Sequence, residues 1–135
     1  MHDPRKIGCF TTCDPEQVKR YSEIEWTKNT PFIRRRCHQM RLDSVFERYN
    51  VQRDFDILVV DVEGSESVVF DSFDLAKWRP KMMLVELEDT HESFQEYEGH
   101  VTEHKILRNS IISRGYIEIY SDEINTIFVR HDQQR

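Results

Sequence analysis

The sequence predicts an α/β fold whose mixed sheet ends in an antiparallel hairpin, and three observations carry that expectation. Ile57 to Val62 (ILVVDV) and Met82 to Leu87 (MMLVEL) are near-continuous apolar runs of the kind that form strands buried in parallel sheets. A helix-length connection separates them, which makes one βαβ unit. Beyond Gly115, Tyr116 to Ser121 and Asn125 to Val129 flank an acidic turn at Asp122 and Glu123, as the strands of a hairpin do.

The elements follow in order. In DPEQVKRYSEIEWTK, Asp14 can cap a helix and Pro15 fits its first turn, with Val18, Tyr21, Ile24 and Trp26 as a partial apolar stripe and Pro31 as the stop. CHQMRLDSVFERY reads as a short extended piece from His38 to Leu42. A helical turn then starts near Asp43, whose carboxylate caps it, and turns Val45, Phe46 and Tyr49 to the core. After the first strong strand, Ser65 or Glu66 opens a helix with Val69 and Phe73 on one face, closed by Trp78 and Pro80. The second strand leads into a polar loop from Glu88 to Gly99. Val101 to Arg114 then carries Ile106, Leu107, Ile111 and Ile112 at helical spacing, with Gly115 as C-cap. The tail HDQQR is expected to fray. Right-handed crossovers would place helices on both faces of the sheet. The domain is thus read as residues 38–131, with 1–37 a polar N-terminal extension and 132–135 a tail.

Composition narrows the function classes. The chain has 135 residues, 38% apolar and 33% charged, enough for one soluble domain with a core. Its net charge of −6 disfavours nonspecific binding to nucleic acid, and Arg34, Arg35 and Arg36 read as a solvated run. No apolar run approaches the about 20 residues of a membrane-spanning helix. The N-terminus, MHDPRKIGCF, lacks the apolar stretch of a secretory signal, which favours a cytoplasmic setting. Cys9, Cys13 and Cys37 are odd in number and read as free thiols; with His38 they make only a loose zinc pattern. His91 and His131 read as polar loop and tail residues, and His100 and His104, four apart, as exposed helix surface. Trp26 and Trp78 read as packing residues.

The chemistry concentrates at strand ends. Asp61 and Glu63 stand at the C-terminal end of the first strong strand, where ligands of open α/β sheets bind, and Gly64 permits the turn. Asp61 follows an apolar run and reads as a buried carboxylate. Glu66 can cap the next helix. The second strand ends in Glu86 and Glu88, so two adjacent strands direct acidic groups into one crevice. Such a cluster can orient an acceptor hydroxyl or amine, take its proton, or bind a divalent cation, and the alternative is plain capping and solvation.

The stretch FDILVVDVEGSESVVFDSFDLAKWRPKMMLVELE closely resembles the hallmark region of FkbM-type methyltransferases: a strand ending in Asp-Val-Glu-Gly, a helix, then Pro before a strand ending in Glu. RLDSVF is similar to that family's Leu-Asp segment, and RGYIEIYSDEINTIFV to its closing strands. The resemblance covers about residues 38–129. It implies a partial class I S-adenosylmethionine-dependent, Rossmann-like fold and methyl transfer to oxygen on a small-molecule or sugar acceptor. It places Asp61 and Glu63 beside cofactor and acceptor, Glu86 at the adjoining strand end as general base or hydrogen-bond acceptor, and Glu66 at a recurrent acidic position. Before Asp54 the sequence has only Gly8, so no glycine-rich turn is visible there.

Two readings follow. One is an FkbM-like methyltransferase domain using S-adenosylmethionine. The other is an inactive methyltransferase-like domain whose exposed sheet edge pairs with a partner chain or a second copy. A metal-dependent hydrolase built on Asp61, Glu63, Glu86 and Glu88 ranks below both.

Overall fold

A computed structural model describes residues 12–13, 15–23 and 33–133. Ile24, Trp26, Pro31 and Cys9 lie outside them, as do Gln134 and Arg135. The elements are α1 (Pro15–Glu23), α2 (Leu42–Arg48), β1 (Ile57–Val60), α3 (Glu66–Asp71), α4 (Leu75–Trp78), β2 (Met82–Glu86), α5 (Glu98–Ser113), β3 (Tyr116–Ser121) and β4 (Asn125–Arg130). Short 3₁₀ turns cover Glu92–Phe94 and His131–Gln133.

Among the described residues four strands form one mixed sheet in the order β1-β2-β4-β3. β1 and β2 run parallel, pairing Ile57 with Met82 and Val60 with Val85. β4 is antiparallel to both β2 and β3, and a bulge between Glu118 and Tyr120 interrupts the hairpin. The βαβ unit and the hairpin are therefore as the apolar runs predict. Gly115, at φ +91, ends α5 in a conformation that suits glycine, as its position after the helix predicts.

The sheet differs from the expectation in how it is covered. Its pleat divides the strand residues into two sets. Leu58, Val60, Met83, Val85 and Phe128 are buried with Phe46, Phe70, Phe73, Leu75, Trp78, Leu107 and Ile111 of the helical segments in one core. On the other face, Ile57 is 53% and Val59 61% exposed. All the core helices thus serve one face, and β1 alternates in burial although its sequence is apolar throughout.

Three local readings are corrected. Residues 33–41 contain no strand; they run irregularly into α2, which starts at Leu42. Asp43 does not cap α2. Its carboxylate accepts the Trp78 indole N–H at 2.5 Å and the Asp74 backbone N–H at 3.3 Å, so it fastens α2 to α4 instead. The helix expected from Ser65 to Trp78 is two helices, because the Ser72–Asp74 segment breaks it and Asp74 caps the second through the Ala76 N–H. The break lets Phe46 pack edge-on against Phe55, Phe73 and Trp78, with centroids 4.9–6.0 Å apart. The tail also departs from expectation: Asp132 pairs with Arg130 and Arg79. Cys13 and Cys37 are free and exposed.

Candidate functional site

The site is assembled at the C-terminal ends of β1 and β2. β1 stops at Val60, and the chain then turns through Asp-Val-Glu-Gly, with Glu63 at φ +56 and Gly64 at φ +89. Two consecutive residues in the left-handed region bend the chain sharply, a geometry that Gly64 accepts without strain. A side chain at Gly64 would also strike Gln17 of α1, which is buried against the turn. Thr12 donates to the Glu63 carbonyl at 2.8 Å. The N-terminal helix therefore sits directly on the loop.

Glu66 organises this loop from within. It is 1% exposed, and its Oε1 accepts the backbone N–H groups of Val62 at 3.0 Å and Gly64 at 3.3 Å. Its Oε2 makes no well-formed hydrogen bond but lies 3.4 Å from His104 Nε2. His104 Nδ1 accepts the Glu88 backbone N–H at 3.0 Å, so the neutral ring carries its proton on Nε2, facing Glu66. Burial pushes the Glu66 carboxyl up, but the nearby His104 imidazole and the backbone N–H groups outweigh it and hold the pKa below its usual value.

Four residues nearer the start of α5, His100 Nε2 stands 2.9 Å from Glu88 Oε2, with both side chains largely enclosed. The two imidazoles pack at 4.1 Å, and Phe94 lies 5.3 Å from His100. The two histidines are thus buried, at 7% and 2% exposure, rather than on the helix surface. Arg108, one turn beyond His104, grips Asp89 through two nitrogens at 2.6 and 3.1 Å, which fixes the segment after β2 against α5.

Glu86, the last residue of β2, feels the whole cluster. Its pKa is pushed up to about 8, first by burial and then by the charges of Glu88, Asp61, Glu66 and Glu63. The structure therefore brings the sequence-predicted carboxylates within electrostatic reach of one another. It corrects one of them: Asp61 is exposed, because the strand ends before it and its side chain falls outside the core. Among the described residues no group of three or more His, Cys, Asp or Glu side chains is arranged to hold a metal ion.

Beside the cluster, α1 and the first turn of α5 border an open cavity of about 400 Å³ lined by Arg20, Gly64, Tyr97, Gly99 and His100 together with the acidic Glu16, Glu98 and Glu103. Arg20 lies over the Tyr97 ring at 4.6 Å. His100 and His104 were hidden in the sequence, yet a signal existed. Val101, His104, Leu107 and Ile111 recur at three- and four-residue spacing, so His104 sits within the apolar stripe that packs on the sheet.

A family model described as the methyltransferase FkbM domain matches residues 2–118. The chain belongs to the FkbM methyltransferase family. The match takes in α1, the Asp-Val-Glu-Gly turn, both parallel strands and α5, so every residue of the site falls inside it. Membership implies a methyl-transfer function for this FkbM domain. No curated protein and no solved structure matches the chain. Among the described residues no helix is long and apolar enough to cross a membrane.

One consequence for stability follows from Glu86. Its folded pKa of about 8 lies above the ordinary carboxyl value of 4.5, so the folded chain holds this proton more tightly than the unfolded chain. The associated stability is complete below about pH 4.5 and is lost as pH rises through 8. The limiting slope is about 1.4 kcal/mol per pH unit, and water at this partly exposed carboxyl screens it to a fraction of that. Glu86→Gln should therefore melt a few degrees (~3 °C) above the parent chain at pH 9 and level with it near pH 5, as read by thermal unfolding.

Proposed function

We propose that the FkbM domain transfers a methyl group from S-adenosylmethionine to oxygen on a small-molecule or sugar acceptor at the ends of β1 and β2, in a class I, Rossmann-like arrangement. The observation that carries this reading is the convergence of carboxylates on Glu86 at the strand ends. Burial and the charges of Glu88, Asp61, Glu66 and Glu63 together raise its pKa, so carboxylates converge on this point of the sheet. S-adenosylmethionine has a sulfonium and an ammonium, and this donor set suits both. Asp61 and Glu63 would hold that cationic end, on the turn that Glu66 and Gly64 shape. When bound, the cofactor supplies an electrophilic methyl group.

The chain's own residues do the rest. The ordered turn fixes the carboxylates before a ligand arrives, so little reorganisation is needed and catalysis draws on orientation and proximity. Glu86 serves in two ways according to pH. Ionised, above about pH 8, it is a general base toward an acceptor hydroxyl; protonated, below that, it donates a hydrogen bond and orients the acceptor oxygen.

The exposed edge strand favours a second reading. Among the described residues β1 has a sheet neighbour on one side only, and its Ile57 and Val59 are open, which suits an interaction domain that pairs with another chain. Calorimetric titration decides between them. The FkbM domain should bind S-adenosylmethionine stoichiometrically, and Asp61→Asn should weaken binding about tenfold, a loss of roughly 1.4 kcal/mol. A folded chain that takes up no heat from S-adenosylmethionine would sink the methyl-transfer reading.

A further inference from the structure

We propose that His100, held by Glu88, is the residue that takes the acceptor's proton at neutral pH, and that the cavity between α1 and the first turn of α5 is where the acceptor's hydroxyl meets it. The proposal rests on the methyl-transfer reading above and adds to it a base and a pocket.

Three observations converge on His100. Its Nε2 is committed to Glu88 Oε2 at 2.9 Å. Its Nδ1 has no hydrogen-bond partner among the described residues, and the residue lines the cavity of about 400 Å³. The ring itself is fixed, between the His104 ring at 4.1 Å and Phe94 at 5.3 Å, so the open nitrogen has a defined direction. A carboxylate on one ring nitrogen and a free position on the other is the arrangement that lets an imidazole accept a proton and have the resulting charge neutralised. His104 lacks this freedom, since both of its nitrogens face protein groups.

Glu86 cannot fill the role at pH 7. With its pKa near 8 it is mostly the neutral acid, which has no vacancy for a proton. The groups around His100 are Glu88, two residues past β2, Glu16 and Arg20 of α1, and Glu98, Glu103 and His104 of α5. In the step itself the acceptor's O–H bond breaks and its proton passes to Nδ1, giving an imidazolium paired with Glu88. The oxygen's electron pair forms the bond to the methyl carbon of the sulfonium donor, and the carbon–sulfur pair returns to sulfur. Glu88 is a positioning residue in this scheme: it selects the tautomer with the proton on Nε2.

The test needs no acceptor. The full chain is treated with diethyl pyrocarbonate at pH 7, and carbethoxylation is followed residue by residue by mass spectrometry. His100 should react at least about tenfold faster than His104, because only His100 offers an unoccupied ring nitrogen to the cavity. Gly99 supplies the control, since it lines the cavity and a Cβ placed there meets no atom within 4 Å. Gly99→Phe should fill the cavity without disturbing the helix and slow His100 at least about fivefold while His104 stays protected. The ¹⁵N spectrum should show neutral His100 protonated on Nε2. A His100 as slow as His104, a rate indifferent to Gly99→Phe, or an Nδ1-protonated ring would overturn the proposal. These readouts use no methyl donor. Absent S-adenosylmethionine binding therefore removes the methyl-transfer reading and with it the proton-transfer step, whatever the reactivity of His100, whereas an unreactive His100 in a chain that does bind it removes this proposal alone.

Discussion

Glu66→Ala is expected to cost about 3–5 kcal/mol of folding stability, the range for removing one member of a buried, hydrogen-bonded ionic group. Against a total of roughly 5–15 kcal/mol for a domain, that leaves the chain close to unfolding. The cause is specific. The substitution strips the acceptor from the Val62 and Gly64 N–H groups and leaves the His104 Nε2–H facing an empty space. Glu66→Gln separates these contributions. A glutamine must aim its carbonyl either at the two backbone N–H groups or at His104, and in both orientations its amide nitrogen faces a donor. His104 cannot relieve the conflict by moving its proton, because its Nδ1 is taken by the Glu88 N–H. Urea unfolding should therefore place Glu66→Gln between the parent chain and Glu66→Ala, at a loss of about 1–3 kcal/mol. A glutamine variant as stable as the parent would mean that the charge on Glu66 is not needed to hold the turn.

The second large effect is expected at Gly64. Any side chain there meets two penalties, a φ of +89 and the buried Gln17 of α1. The backbone strain alone is worth about 1–3 kcal/mol. Gly64→Ala should add to it by pushing Gln17 out of its buried place, which lifts α1 off the turn and opens one wall of the cavity. Hydrogen exchange reads this directly: amides of Pro15–Glu23 after the proline should lose protection while those of β2 and β4 keep theirs. Adding Gln17→Ala should restore α1 in part, since it removes the clash but not the strained φ. If Gly64→Ala leaves α1 protected, the helix is not seated on the turn as described.

Much of this arrangement could be read from the residues alone, and the reasons are local. ILVV, MMLVEL and the alternating hairpin each carry a strand signal that tertiary packing reinforces, and Gly115 marks the end of α5 by its own stereochemistry. The acidic crevice was legible because Asp61, Glu63, Glu86 and Glu88 stand at the ends of adjacent parallel strands, a position fixed by topology rather than by side-chain detail. What the sequence could not convey was which face of each element meets protein. Ile57 and Val59 are as apolar as Leu58 and Val60, yet only the second pair is covered. His100 and His104 have the polarity of surface residues and the positions of core residues. Asp61 follows an apolar run but lies just past its end, in solvent. Asp43 and Gln17 were equally opaque, since both act on residues far along the chain, Trp78 and Gly64.

These findings also separate two kinds of acidic residue in the Asp-Val-Glu-Gly segment and its surroundings. Glu66 is structural, a carboxylate whose charge is spent on backbone N–H groups and a histidine. Glu88 is intermediate, tied to His100 and still felt by Glu86. The methyl-transfer reading assigns Asp61, Glu63 and Glu86 to a ligand, and it depends on the field they create with Glu88 and Glu66.

The most direct test of that field is a carboxyl ¹³C titration of Glu86 in the free chain, followed by nuclear magnetic resonance from pH 4 to 10. The convergence of carboxylates on the strand ends predicts a midpoint near pH 8, moved downward by Asp61→Asn as one repelling charge is removed. A midpoint near the ordinary 4.5, indifferent to Asp61, would show that the carboxylates do not act on one another and would contradict the site built on them.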